Sequence, residues 1–307
     1  MHSRSQKYGA AWQLLVRWFD SSSVPASTSE SVDHSRIAPF MLLHLTCLVG
    51  IFYIPIGLVE MLACALTYFV RMFAITGFYH RYFAHKTFTT GRAHQFVWAF
   101  IGATSAQRGP IWWAATHRQH HRCADSDDDP HNSRRGFLWS HIGWFLTPRH
   151  FQTRSHLVPD WLAFPELRWL DRFDIVAPLS LLAGLFVAGE LLEGYGLPTN
   201  GLQLAFWGFA VSTVILLHLT LAINSLTHRF GSRAYETDDE SRNLWPLAIL
   251  TLGEGWHNNH HRYCGSTRQG HLWWQLDLTY YVLWAFSKIG LVKSMQPVPA
   301  RVLESNQ

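Results

Sequence analysis

The chain has 307 residues, of which 48% are hydrophobic and only 15% are charged, whereas soluble proteins carry about 25% charged residues. This composition excludes a disordered chain, and a net charge of +4 without a basic stripe argues against a nucleic-acid partner. The four cysteines form no CxxC pair, which argues against a zinc ribbon or a thioredoxin-type site. Histidine is the exceptional residue, because the chain has 19 histidines against 21 acidic residues.

The chain divides into a central membrane domain and two polar ends. Residues 1–36 are predicted to be cytosolic, and their stretch 12–19 (WQLLVRWF) has the pattern of an interfacial amphipathic helix. The membrane domain covers 37–296, and 297–307 is a C-terminal tail. Within the domain, the apolar stretch 96–106 is too short to cross a bilayer and is predicted to be a buried or half-inserted helix.

A crossing needs about 20 apolar residues, and the domain has two pairs of runs of this kind. They predict four membrane-spanning helices, at about 38–56, 59–79, 175–192 and 202–223. The connector 190–201 has no Lys or Arg, whereas 134–156 is rich in Arg. By the positive-inside rule the short connectors lie outside and the long segments lie in the cytosol. We therefore expect an all-α, multi-pass membrane protein with four transmembrane helices and a cytosolic helical cap.

Three histidine motifs lie in the predicted cytosolic segments. HRYFAH contains His80 and His85, HRQHH contains His117, His120 and His121, and HNNHH contains His257, His260 and His261. Helical residues three or four apart share one face, so each triplet can direct its imidazoles to one point. Two predicted crossings separate the second motif from the third, which puts all three on one side of the membrane. Eight imidazoles are too many for one ion and predict a dinuclear metal site.

The residues alone leave other functions open. A membrane hydroxylase or ketolase would use the same metal chemistry, and a haem-binding or metal-transport protein would belong to a different class. Haem proteins place histidine pairs inside the spanning helices, and a transporter needs ionisable residues at mid-membrane. We interpret His44 and His218 as ordinary core or surface histidines that form no such path. The roles of four others stay open: His131, His141, His156 and His271.

The motifs and their surroundings resemble the integral-membrane fatty acyl desaturases, and in particular the stearoyl-CoA desaturase-like branch. The segments that carry the resemblance, besides the three motifs, are DPHNSRRGFLWSHIGW (129–144), NSLTHRFG (224–231) and GEGWHNNHH (253–261). WWQLDLTYY (273–281) is similar to the bacterial relatives, which implies a bacterial inner membrane. The resemblance implies an O2-dependent desaturase that inserts a cis double bond at a non-haem centre of two Fe ions on the cytosolic face.

The resemblance also implies a ligand set. The eight histidines of the motifs would be ligands, His228 a ninth, and Asn224 would reach one iron through a water. We further expect Asp125, Asp129 and Glu254 to hydrogen-bond the ligand histidines rather than the metal itself.

For the substrate, the resemblance implies a narrow apolar tunnel with Gln107, Trp113 and Thr220 at its bend. Arg149 and Arg154 occupy positions where similar enzymes carry basic residues that face the phosphates of coenzyme A. The expected substrate is a long-chain fatty acyl thioester, with acyl-CoA and a delta-9 double bond as the first choice. Ala115 and Thr116 depart from the animal pattern, so acyl carrier protein and an intact lipid stay open as carriers.

The remaining expected partners are membrane lipid and an electron donor. The sequence has no GxGxxG fingerprint and no appended cytochrome domain. Electrons would therefore come from a separate ferredoxin or small b-type cytochrome with its reductase, docked on the Arg-rich cytosolic face.

Overall fold

The computed structural model describes residues 10–304, which are mostly helical. Its helices are α1 (Ala10–Phe19), α2 (His34–Gly50), α3 (Leu58–Phe73), α4 (Arg92–Ala103), α5 (Pro110–Cys123), α6 (Phe137–His141), α7 (Pro165–Arg172), α8 (Val176–Gly194), α9 (Gly201–Leu204), α10 (Ser212–Leu226), α11 (Trp245–Leu250), α12 (His257–Arg262), α13 (Leu278–Lys288) and α14 (Ala300–Glu304). Two strands of two residues, β1 (Thr89–Thr90) and β2 (Val292–Lys293), pair antiparallel. The predicted end segments fall partly outside this description, at residues 1–9 and 305–307.

Two helices continue as π-helical segments. Ala74–Ala84 extends α3, and Ala205–Val211 joins α9 to α10. Among the described residues, three continuous helices are therefore long and apolar enough to cross a membrane: Leu58–Ala84, Val176–Gly194 and Gly201–Leu226. They match the second, third and fourth predicted spans and lengthen each of them.

The first predicted span, 38–56, is too long at its C-terminal end. The apolar part of α2 is Ile37–Gly50, and the chain turns over 51–54. Pro55 follows, and the residue before a proline disfavours helical geometry. The amphipathic stretch 12–19 lies in α1, and the predicted short helix 96–106 is found as α4, which begins and ends earlier.

Buried polar side chains connect the long helices. Arg71 of α3 donates to the Thr67 and Thr104 carbonyls and to the hydroxyls of Ser212 and Thr213 in α10. A charged group inside a membrane domain is costly unless it is paired, so these contacts determine which face of α3 meets α10.

A chain of three histidines connects α2, α10 and α6. His44 Nε2 lies 2.9 Å from His218 Nε2, and His218 Nδ1 lies 3.0 Å from His141 Nε2. The far nitrogens contact the Phe40 carbonyl at 2.7 Å and the Ser225 hydroxyl at 2.9 Å. His44 and His218, interpreted from the sequence as ordinary core or surface histidines, thus lie in a hydrogen-bonded contact between helices. Because His218 directs its two nitrogens to different partners, the three rings do not converge on one ion.

The helices in the region predicted to form the cap pack around the π-helical end of α3. α4, α5 and α13 contact this segment directly, and α7 packs against α4 and α5. Its core is aromatic and aliphatic, and the fully buried side chains include Phe78, Phe83, Phe88, Leu167 and Leu170. This core holds the end of α3 and the second histidine motif on α5 in a fixed relation.

Candidate metal centre and substrate cavity

The first histidine motif lies on the π-helical segment. His85 N–H donates to the His80 carbonyl over 3.1 Å, which is an i to i−5 hydrogen bond. Such bonding is typical of π-helical turns, which are frequent at functional sites. It returns the chain to the same face after five residues and so brings the two imidazoles together, with ring centroids 4.9 Å apart.

Five histidines from three helices form a first histidine group: His80, His85, His117, His121 and His260. One ring nitrogen of each lies within 4.8 Å of those of all the others. Their Nε2 atoms approach one another directly, at 3.0 Å between His80 and His260 and at 2.8 Å between His85 and His117.

Four histidines form a second histidine group: His120, His228, His257 and His261. His120 Nε2 lies 3.2 Å from His261 Nε2, and His228 Nε2 lies 3.1 Å from His257 Nε2. His228 comes from the turn after α10, so the structure brings all nine histidines named as ligands into two adjacent groups. α5 contributes to both groups, because His121 belongs to the first and His120 to the second.

Carboxylates hold the outer nitrogens of four of these rings. Asp125 lies 2.9 Å from His228 Nδ1, Asp129 lies 2.9 Å from His120 Nδ1, and Glu254 lies 2.5 Å from His80 Nδ1. The fourth carboxylate, Asp239, lies 2.7 Å from His261 Nδ1. Sequence analysis missed Asp239, since it stands in a polar, acidic stretch like that of any exposed loop and is distant from His261 along the chain.

These hydrogen bonds explain why the two groups fit metal ions. A neutral imidazole that donates its Nδ1–H to a carboxylate has only a lone pair at Nε2. His120 and His261 both have Nδ1 against a carboxylate, and their Nε2 atoms lie 3.2 Å apart. A metal ion would be bound through these Nε2 atoms, and imidazole with a carboxylate behind it is a common metal ligand.

The other rings also favour a metal. Burial lowers the pKa of five of them well below the usual histidine value, and the neighbouring imidazoles lower it further: His85, His117, His121, His257 and His260. They are therefore neutral at physiological pH, and a neutral ring is the form that binds a metal.

Behind His80 lies a buried ionic network that the sequence did not reveal. Arg81 contacts Glu254 at 3.0 Å and Asp277 at 2.9 Å, and all three side chains are at most 4% exposed. Gln269 adds a hydrogen bond of 3.1 Å to Glu254. A buried charge pair of this kind needs good geometry and further hydrogen bonds, so the network holds Glu254 and thereby His80 in place.

His131 joins the edge of the second group. One of its nitrogens, one of His120 and an oxygen of Asp129 lie within 4.8 Å of one another. Its ring is buried at 4% exposure, packs on His120 at 4.2 Å and lines the cavity described next. His131, whose role the sequence leaves open, therefore lies beside the second histidine group rather than on the surface.

A cavity of about 640 Å³ leads to the two groups. Gln107, Trp113, Thr220 and Asn224 all line it, and Gln107 Nε2 donates to Thr220 Oγ1 over 3.2 Å. The ring of Trp113 stacks on His117 with centroids 5.0 Å apart. Most of the remaining wall is apolar, and α2, α8 and α10 contribute to it, as expected of a site for an apolar ligand.

The two arginines expected near a carrier phosphate are engaged within the chain. Arg149 forms an ion pair with Glu30, which also binds Arg135 at 2.7 Å. Arg154 Nη2 lies 3.3 Å from His150 Nδ1, and Arg154 does not line the cavity. Arg108 and Arg17 are the arginines that reach the cavity wall, and Arg108 is paired with Asp174 at 2.6 Å.

Comparison with known proteins shows a match over most of the chain. The family model for fatty acid desaturases matches residues 57–293. A sn-2 palmitoyl-lipid 9-desaturase from Nostoc sp. (strain 36) is 37% identical over 72% of this chain and 75% of its own length. A chloroplastic palmitoyl-monogalactosyldiacylglycerol delta-7 desaturase from Arabidopsis thaliana is 34% identical over 87% of this chain and 70% of its own length. An acyl-CoA 5-desaturase from Anemone leveillei is 36% identical over 75% of this chain and 69% of its own length.

Proposed function

We propose, since this chain belongs to the fatty acid desaturase family, that it is an O2-dependent enzyme that inserts a cis double bond into a saturated acyl chain. The observation that carries the proposal is the position of two histidine groups beside one apolar cavity. A saturated C–H bond has no acidic proton, so acid or base side chains cannot break it and a redox metal is needed.

The proposed metal content is two irons. The first histidine group would hold one ion, and the second group would hold the other, with Asn224 reaching it through a water. When bound, the irons would supply the O2-dependent redox chemistry. The carboxylates Asp125, Asp129, Asp239 and Glu254 would fix the orientation of the rings and keep their Nε2 atoms free of protons.

The cavity residues would position the substrate. Gln107 and Thr220 form a polar contact across a cavity that is otherwise mainly apolar, and Trp113 lies flat against His117. An acyl chain that follows this wall passes the first histidine group at a defined carbon. We propose the delta-9 position, which the Nostoc relative carries in its name.

For the carrier, we propose a membrane glycerolipid in place of the expected acyl-CoA. Arg149 is paired with Glu30, and the cavity wall includes apolar residues of α2 and α8 such as Leu42, Leu43 and Leu182. A lipid acyl chain can enter between these helices from the bilayer. The names of the Nostoc relative and of the chloroplastic relative from Arabidopsis thaliana, which both specify a lipid-bound acyl chain, support the same substrate class.

We further propose four crossings, in which α2 makes the first despite its short helix, with the histidine groups on the cytosolic side of a bacterial inner membrane. The three long apolar helices support this arrangement, and the positive-inside rule supports its orientation. The electron donor is proposed to be a separate ferredoxin or a b-type cytochrome with its reductase.

The test is lipid analysis of a desaturase-deficient bacterial host that expresses the chain. We expect new monounsaturated acyl chains on glycerolipids, and about two irons per purified chain, because nine imidazoles exceed the capacity of one ion. His261→Ala should abolish the product, whereas the exposed His156→Ala should leave it unchanged. Product in the acyl-CoA pool alone would contradict the lipid carrier, hydroxylated chains would indicate the hydroxylase function, and a Soret band would indicate haem.

A further inference from the structure

Two segments expose large apolar side chains and do not line the cavity. They are α11 with its following residue (245–251) and the segment 272–284, which includes most of α13; together we name them the apolar shelf. Seven of its side chains are between 48% and 88% exposed: Trp245, Ile249, Leu250, Trp273, Trp274, Leu276 and Trp284. Monomeric soluble proteins rarely expose so continuous an apolar surface, which marks it as an interaction site.

The shelf has no exposed charge. Its two segments contain one acidic or basic side chain, Asp277, which is fully buried and paired with Arg81 at 2.9 Å. A charged electron-transfer protein would therefore have no charged side chains to pair with on this surface. Cations begin only at its edge, where Lys288 Nζ lies 4.8 Å from the ring of Trp284 and Arg268 lies 5.6 Å from that of Tyr280.

The shelf is continuous with a helix that crosses the membrane. The Tyr68 hydroxyl of α3 donates to the Leu250 carbonyl at the end of α11. The Thr76 hydroxyl of the same helix lies 2.7 Å from that of Thr279 in α13. The shelf therefore covers the side of α3 that would otherwise continue towards the cytosol as a lipid-facing surface.

The length of α3 gives the depth of the shelf. Exposed apolar side chains on this helix run from Leu58 to Val70, and every residue from Arg71 to Ala84 is buried by protein. At 1.5 Å per residue the lipid-facing part is about 20 Å long, whereas the hydrocarbon core is about 30 Å thick. About 10 Å of the hydrocarbon thickness is therefore not matched by the lipid-facing part of α3. This remaining thickness lies at the level where α11 and α13 pack against α3 and its π-helical end.

We propose that the apolar shelf is inserted in the cytosolic leaflet of the bilayer and that lipid covers it. Ile249 and Leu250 would contact acyl chains, and the tryptophans would lie at the level of the head groups, where Trp is enriched. Lys288 and Arg268 would extend to the phosphates. Only six residues separate the end of α11 from the start of α12. Insertion of the shelf would therefore fix the depth of the third histidine motif relative to the membrane.

The test measures collision of a nitroxide label with two relaxation agents in the full chain reconstituted in phosphatidylcholine vesicles. Labels go on Leu250→Cys and Val282→Cys, one in each shelf segment, and Glu236→Cys is the control, an exposed site in a polar loop. The unsubstituted chain, whose four cysteines are half-buried, gives the background signal. Ile249→Cys replaces Leu250→Cys if that variant does not fold.

We expect both shelf labels to collide severalfold more with O2, which concentrates in hydrocarbon, than with a water-soluble nickel chelate, and the control to show the reverse. High nickel accessibility at the shelf would show that water covers it and would overturn the proposal. Low accessibility to both agents would show that protein covers it, such as a second copy of the chain, and would also overturn it. The measurement needs no turnover, so its outcome is independent of the proposed activity.

Discussion

At the scale of single residues, the proposed metal centre would depend on side chains that are not themselves ligands. Four carboxylates accept hydrogen bonds from the outer nitrogens of histidines in the two groups. Each bond fixes one tautomer and one ring orientation, so the ligand atom points inward before any ion binds. Asp239 is the most accessible of the four, because its side chain is 12% exposed, and it offers the simplest test.

Asp239→Ala is expected to weaken metal binding about ten- to a hundredfold, the range typical for loss of a ligand's supporting hydrogen bond. His261 would then be free to rotate and to protonate at either nitrogen. The measurement is metal affinity by competition with a coloured chelator. Asp238→Ala is the matched control, since the neighbouring carboxylate is exposed and should leave affinity unchanged. Equal affinities for the two variants would exclude a supporting role for Asp239.

Asp171 provides a prediction on pH dependence. Burial raises the pKa of this carboxyl from 3.8 to about 6, although the Trp112 N–H and Arg108 partly oppose the shift. The folded chain therefore holds the proton more tightly than the unfolded chain, and the free energy of unfolding decreases as the pH rises from about 4 to about 6. This difference in the Asp171 pKa between the unfolded and the folded chain corresponds to a loss of about 3 kcal/mol in the free energy of unfolding across this pH range.

In Asp171→Asn the carboxyl is replaced by an amide, which does not titrate in this pH range. The variant should therefore lack the decrease in the free energy of unfolding. We expect the melting temperature of the wild type to fall relative to that of Asp171→Asn between pH 4 and pH 7. Thermal unfolding monitored by intrinsic fluorescence in detergent measures the difference, and Asp238→Asn serves as the exposed control. A constant difference across this range would mean that Asp171 is ionised throughout.

At the scale of elements, the position of α5 determines where the second histidine motif lies. α5 begins after Gly109, whose backbone lies directly against α7. A Cβ atom at this position would stand 2.4 Å from the Asp171 Cα, closer than real contacts allow. Only glycine therefore permits this approach of α5 to α7, although the backbone angles at Gly109 are ordinary for any residue.

Gly109→Ala is expected to lower the free energy of unfolding by about 1–3 kcal/mol, the usual cost of forcing an extra carbon into a packed contact. Displacement of α5 should also lower the metal content. Gly91→Ala is the matched control, because Gly91 caps α4 in a similar conformation and a Cβ there meets nothing within 4 Å. Thermal unfolding and metal analysis of both variants measure these effects. Equal stability and equal metal content of the two variants would contradict the prediction.

At the scale of the whole molecule, the orientation in the membrane decides whether the histidine groups are accessible to a cytosolic electron donor. The connector between α8 and α9, which we propose to lie outside, is the best marker of that side, and Tyr195 is 83% exposed there. Thr199, in the same connector, is only 4% exposed and is a poor labelling site. On the opposite side, Glu236 lies in an exposed loop close to the third histidine motif.

In intact cells, Tyr195→Cys should react with a membrane-impermeant maleimide, and Glu236→Cys should react only after the membrane is permeabilised. The reason is the excess of Arg in the long segments, which are retained in the cytosol. The unsubstituted chain is the blank, since its cysteines are half-buried. The reverse labelling pattern would place the histidine groups outside and contradict the proposed topology.

Much of this molecule was predictable because its signals are local. Membrane helices are recognised by apolar length, and His117, His120 and His121 reveal themselves by helical spacing. The predicted resemblance to fatty acyl desaturases is confirmed by the family match over 57–293. The looser spacing of His80 and His85 was also visible, although only the structure shows the π-helical hydrogen bond that accounts for it.

The sequence by itself therefore determined the family, the helical class and the residue types of the metal centre. The tertiary structure alone decided the division into two histidine groups, the pairing of His261 with Asp239 and the contact of Gly109 with Asp171. It also connected His44 to His218 and left Arg149 bound to Glu30. The physical reason is that composition and periodicity report what one helix needs, whereas these contacts join residues distant in the chain whose approach depends on how every helix packs.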